Sequence, residues 1–180
     1  MLLAIHNDHH NISLLLKVIN SKIQRLEENK EIDFNLVKVI VSYLLNYSDK
    51  YHHPMEDLIY SYCVDNGVIF DCIGDDLLTH HKQIKAATMA LDETLDMILL
   101  DTVVPTAQCI EKLKYFVKLQ SEHIDYEEQK ILPSIQKFLL KEDWSKIEKK
   151  WLQEAYSDPL FGNDVSAKYQ KLAKRIKALS

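Results

Sequence analysis

The eight histidines of the 180-residue sequence fall into four clusters: His6, His9 and His10; His52 and His53; His80 and His81; and His123. Two clusters carry a carboxylate one helical turn further on, Glu56 after His52 and Glu127 after His123. Residues at i, i+4 share a face of a helix, so each pair aims two donors at one point. A lone histidine on an apolar face is ordinarily a hydrogen-bonded core residue. Four at one level beside two carboxylates point to a metal, because a buried carboxylate is costly unless paired or metal-bound.

The elements that must position these residues are helical. Three glycines and four prolines punctuate the chain, apolar residues recur at three and four, and strand alternation is nowhere convincing. The spacing predicts helix A over about 3–28, helix B over 33–64, helix C over 75–100 and helix D over 105–140, with Pro105 in its first turn. Asn66-Gly67 and Gly74 mark the break between B and C. The expected fold is all-α, an up-down-up-down four-helix bundle over residues 1–140. A C-terminal helical extension over 141–180 is expected to pack on it. There Asp143 caps a helix carrying Trp144, Ile147 and Trp151, SDPLFGND makes a turn, and Val165, Tyr169, Leu172, Ile176 and Leu179 face one way. A faint internal repeat sets HHNI against HHKQI and HHPMED against HIDYEE, at nearly equal separations.

The helical seams sort the histidines. In helix A the row Ile5, His9, Ile12, Leu16, Ile19, Ile23, Leu26 contains His9, whereas His10 aligns with Ser13, Lys17 and Gln24; His6 and His10 read as surface groups. In helix C the row Leu77, His81, Ile84, Thr88, Leu91, Leu95, Ile98 contains His81, and His80 shares a row with Gln83. Helix B favours His52, aligned with Val41, Leu45, Ser48 and Ile59, over His53, aligned with Asn46, Asp49 and Asp57. In helix D, His123 and Glu127 lie below Leu113, Phe116 and Gln120. The predicted inward set is His9, His52, Glu56, His81, His123 and Glu127.

Pro54 stands inside helix B, where proline removes a donor and crowds the preceding turn at about 3 kcal/mol. Metal binding can offset such strain. Six His and Glu donors from facing helices suit a carboxylate-bridged pair of iron or manganese ions better than zinc, which needs four. With Glu56 and Glu127 bridging, room remains for an oxo or hydroxo bridge and a small ligand. Asp57 and Glu128 read as solvated groups or outer partners of the imidazoles rather than as ligands, and Tyr43, Tyr47, Tyr51, Tyr60 and Tyr126 read as packing residues, one of them a candidate hydrogen-bond donor near the metals.

At DHHNI, HHPMED, HHKQI and HIDYEEQKILP the chain resembles the hemerythrin-like family of HHE cation-binding domains, over roughly residues 1–140. The resemblance implies a four-helix bundle with two non-haem iron ions. It maps His9, His52, His81 and His123 onto the ligand histidines and Glu56 and Glu127 onto the bridging carboxylates. DPLFG is similar to an extension of some bacterial members. Where oxygen-carrying members have a further histidine one turn before His81, this chain has Leu77. The set therefore resembles the four-His, two-Glu variety associated with nitric oxide and oxygen chemistry, iron sensing or iron-centre repair. His53, His80 and solvent are the alternatives for the remaining position.

A formal charge of −5 argues against nucleic-acid or anionic-membrane partners. Cys63, Cys72 and Cys109 show no CxxC pattern and read as reduced thiols. No apolar run approaches a membrane span or a signal peptide, so a soluble, cytoplasmic protein is expected. Its expected function is to bind or react with oxygen, nitric oxide or peroxide at a di-iron centre, in stress response or sensing. The alternative is an iron sensor, store or donor, with the C-terminal helices as a protein-partner surface. No nucleophilic triad or phosphate-binding loop is present, and enzymatic status is left open.

Overall fold

The structure, a computed structural model, describes residues 1–67, 73–151 and 158–177, with the backbone alone over 73–76. Its first rod is α1 (Leu2–Glu27), and every residue of the predicted seam from Ile5 to Leu26 is buried while His10 is exposed. The second rod begins at Asp33, whose carboxylate accepts the Leu36 N–H at 3.1 Å. Such a cap contributes about 1 kcal/mol. The rod then runs through α2 (Phe34–Tyr47), a π turn (Ser48–His52) and α3 (His53–Asp65). The third is α4 (Ile73–Leu99), and the fourth comprises α5 (Thr106–Tyr126), a second π turn (Glu127–Ile131) and α6 (Leu132–Phe138). Helix α2 lies against α4, α4 against α5 and α5 against α1, closing a four-helix bundle.

The two π turns explain the two internal prolines. Proline lacks an N–H and its ring crowds the carbonyl four residues back. Just before Pro54, the His53 N–H bonds five residues back to Ser48 O; just before Pro133, the Leu132 N–H does the same to Glu127 O. Each proline then occupies the first turn of the following α-helix, where a missing N–H leaves no partner stranded. A π turn also inserts one residue into the helical repeat. The buried pairs Tyr43-Leu44 and Tyr47-Ser48 are accordingly followed, after a longer gap, by His52-His53 and Met55-Glu56.

Two apolar clusters flank the histidine level. One holds Ile12, Leu16, Val37, Ile40, Leu44, Leu91, Leu113 and Phe116; the other holds Ile5, Ile59, Leu77, Ile131, Leu132 and Ile135. Full burial of each such side chain contributes about 1.5–3 kcal/mol, so the polar layer is clamped between two cores.

Three boundaries differ from expectation. Gly67 makes the turn after α3 with φ of 68°, but Gly74 lies in the first turn of α4 rather than in the break. Pro105 precedes α5 instead of opening it. Helix α7 (Lys141–Lys150) starts ahead of Asp143, whose carboxylate accepts the Leu140 N–H at 3.0 Å from the third position. Ile147 is buried there, Trp144 packs partly buried, and Trp151 ends the helix. Helix α7 contacts α3, and Tyr62 donates to Asp143 Oδ1 at 2.7 Å. A 3₁₀ turn (Ala167–Tyr169) leads into α8 (Gln170–Lys177), and Leu160, Tyr169, Leu172 and Ile176 join the larger core. Leu179 lies outside the described residues. Among the described residues no helix is long and apolar enough to cross a membrane.

Candidate metal centre

Each rod delivers its polar side chains to one level between the two cores. Helix α1 brings His9, the second rod His52, His53 and Glu56, α4 His81, and the fourth rod His123 and Glu127; all seven are buried, with Glu56 and Glu127 fully so. The structure thus draws all six residues of the predicted inward set together. Their Nε2 atoms point at the two carboxylates. His9 Nε2 lies 3.2 Å from Glu56 Oε1 and 3.1 Å from Glu127 Oε2, and His52 Nε2 lies 3.2 Å from Glu56 Oε1. His81 Nε2 lies 3.4 Å from Glu56 Oε2, and His123 Nε2 lies 3.3 Å from Glu127 Oε2.

On the outer side, carboxylates orient the rings. His9 donates Nδ1–H to Glu128 Oε1 at 2.7 Å, and His81 donates Nδ1–H to Asp57 Oδ1 at 2.9 Å. His52 Nδ1 lies 3.4 Å from Asp8 Oδ2, and Asp8 Oδ1 accepts from the Tyr47 hydroxyl at 2.9 Å. Tyr60 donates to Glu127 Oε1 at 2.5 Å. A carboxylate on the outer nitrogen fixes the tautomer and leaves the inner lone pair for a metal.

The donors divide into two groups, His9, His52 and Glu56 on one side and His53, Glu56, His81 and His123 on the other; within each, the donor atoms lie within 4.8 Å of one another. Glu56 belongs to both, with Oε1 toward the first and Oε2 toward His81. Glu127 Oε2 faces His9 of the first group and His123 of the second.

A cation fits this layer on two grounds. His52 Nε2, Glu56 Oε2, His81 Nε2, Glu127 Oε2 and both ring nitrogens of His123 are buried without a hydrogen-bond partner, and each such orphan costs about 1–3 kcal/mol. Moreover, ligands about 2.1 Å from one ion stand roughly 3.0 Å apart at an octahedral edge and roughly 3.4 Å at a tetrahedral one. The N···O separations of 3.1 to 3.4 Å match those edges.

Without a cation the layer is electrostatically divided. Burial drives His53 well below the ordinary imidazole range and His123 down to about 3. Burial also opposes charge on His9 and His81, but Glu127 and Glu56 outweigh it at His9, raising it to about 10, and Asp57 and Glu56 raise His81 to about 9. Glu56 is held well below the carboxylate range despite burial by His52, His81 and His9, whereas burial and the neighbouring Glu56 push Glu127 upward. Protons stand in here for part of the positive charge that the carboxylates require.

Sequence reasoning placed His53 off the inward face. The structure buries it instead, stacked on His81 with ring centroids 4.2 Å apart, because the π turn slips the face by one residue. Pro54 was the available signal. His6, read as a surface group, is partly covered, with Nδ1 2.9 Å from Glu128. Asp8 was missed, though its spacing from Ile5, Ile12 and Leu15 puts it on the buried side. His80 is partly buried 6.4 Å from the His123 ring.

Fold and site together define a four-helix bundle with a buried cation-binding layer. The family model of the hemerythrin HHE cation-binding domain matches residues 1–135. The chain belongs to that family. Searches of curated proteins and of solved structures find no significant match.

Proposed function

We propose that the layer holds two non-haem iron ions, with His9 and His52 serving one, His81 and His123 the other, and Glu56 and Glu127 shared. His53 joins the second group as a further donor. The observation that carries this reading is Glu56, whose two oxygens face two different sets of imidazoles. Iron bound there would supply reversible one-electron chemistry and open positions for oxygen, nitric oxide or peroxide, and we assign the protein to such oxidant chemistry in stress response or sensing.

The chain's own residues have distinct parts. Asp57 and Glu128 hold the outer nitrogens of His81 and His9, so the inner nitrogens keep their aim, and Asp8 Oδ2 faces His52 Nδ1 at 3.4 Å. Tyr60 occupies Glu127 Oε1 and directs Oε2 inward. The apolar clusters on either side exclude bulk water, which strengthens every charge interaction in the layer.

Protein purified without chelator should contain two irons per chain, and its visible absorption should shift with azide or nitric oxide. One metal or none per chain, or silence toward every such ligand, contradicts the reading. A second reading, an iron sensor or donor, is favoured by the contact of α7 with the Glu56-bearing helix α3. It requires the protease sensitivity of the C-terminal helices to change with iron occupancy.

A further inference from the structure

A chain of aromatic rings leads outward from the metal layer. His52 faces Asp8, Asp8 accepts from Tyr47, and the Tyr47 ring stacks on Tyr43 with centroids 5.4 Å apart and planes 9° apart. Tyr43 in turn meets Tyr169 edge-on at 5.4 Å, and Lys168 Nζ lies 5.4 Å over the Tyr169 ring. Each of the two stacked phenols donates to a carboxylate: Tyr47 to Asp8 Oδ1 and Tyr43 to Asp158 Oδ2, both at 2.9 Å. Asp158 is itself fixed, because its other oxygen accepts the backbone N–H groups of Leu160 and Phe161.

Packing alone needs rings of this size but not this pairing. A phenol gives up an electron readily only if its proton has somewhere to go. Burial, together with Asp158, pushes the Tyr43 hydroxyl far above its ordinary range, so this phenol stays protonated until a neighbour takes the proton. Both stacked tyrosines have that acceptor within one hydrogen bond.

We propose that Tyr47 and Tyr43, with Tyr169 as the outermost ring, form an electron relay between the metal layer and the C-terminal extension. The relay rests on the redox reading of the centre given above. Hydrogen peroxide at the centre is the oxidant, and a one-electron donor such as ascorbate at the surface is the reductant. One electron leaves the Tyr47 ring as its phenolic proton crosses to Asp8. An electron from Tyr43 then restores Tyr47, which takes its proton back, while the Tyr43 proton crosses to Asp158. Ascorbate supplies the electron that restores Tyr43 past Tyr169, and Asp158 returns the proton. Two passes, with two protons from solvent, reduce one hydrogen peroxide to two waters.

The test uses the full chain loaded with ferrous iron and mixed with excess peroxide, so that one equivalent takes its two electrons from the iron and the next must take them from the tyrosines. Samples are freeze-quenched and examined by electron paramagnetic resonance. Protein carrying ring-deuterated tyrosine should give a tyrosyl radical signal narrower than unlabelled protein. Tyr47→Phe should abolish the signal. Tyr43→Phe should keep it but lose its rapid quenching by ascorbate. Tyr115→Phe, at an exposed ring on α5, should keep both. Uniform 3-fluorotyrosine, which retains every phenol, should split the signal and serves where a variant folds poorly. If peroxide oxidises the iron but no tyrosyl radical forms, or if the radical survives Tyr47→Phe, the relay is wrong and the iron reading stands. Iron that peroxide leaves unoxidised removes both.

Discussion

Replacing Glu56 with Gln should erase the stabilisation that iron confers, because both donor groups depend on that one carboxylate. A ligand that binds only the folded state stabilises by about 2.7 kcal/mol when its free concentration is 100 times Kd. Two ions at that excess supply about 5 kcal/mol. At about 2–4 °C per kcal/mol for a chain of this size, the wild-type melting temperature should rise by about 10–20 °C on loading. Glu56→Gln keeps the side-chain volume but removes the charge. In the metal-free state it disturbs the contacts with His9, His52 and His81, an effect of about 1–3 kcal/mol. The loading increment, by contrast, should fall to near zero. The assay is thermal unfolding followed by circular dichroism, under anaerobic conditions, with and without ferrous iron. Replacing exposed His10 with Ala is the control and should keep the full increment. A Glu56→Gln protein that still gains 10 °C or more would refute the shared-carboxylate reasoning.

Tyr60→Phe removes the hydroxyl from Glu127 Oε1, a hydrogen bond to a charged group worth about 1.5–3 kcal/mol; denaturant unfolding should show that loss, with iron stoichiometry retained. Pro54→Ala restores an N–H and lets the Ser48–His52 turn relax toward α geometry. That should leave the metal-free bundle as stable or more so while weakening iron binding, as competition with a chelator would reveal. Metal-free protein should be most stable near neutral pH. His123, depressed to about 3, takes up its proton only on unfolding between about pH 6.5 and 3, so acid destabilises; His9, raised to about 10, loses its proton on unfolding between about pH 6.5 and 10, so alkali also destabilises. Urea midpoints measured across pH 4–9 check both arms, and a midpoint still rising at pH 9 would contradict the second.

Much of this arrangement was legible because α-helical periodicity is strict where it is uninterrupted. In α1 the four-three alternation separated His9 from His10 by a single position, and the structure buries the first and exposes the second. The same holds for Leu77, His81 and Ile84 in α4. Legibility failed where the repeat changed. The π turn ahead of Pro54 slips the inward face by one residue, so His53 could not be placed by counting fours. The outer carboxylates were foreseeable as a type but not as pairs. That Glu128 reaches His9 from another rod, and that Asp57 reaches His81, depends on how the rods pack, which no local spacing encodes.

Anomalous diffraction at the iron edge from crystals of the loaded protein tests the central claim most directly. The account predicts two iron peaks in the buried layer, one beside His9 and His52 and the other beside His81 and His123, with Glu56 between them. A single peak, peaks outside the layer, or a layer free of metal in protein that carries iron elsewhere would contradict it.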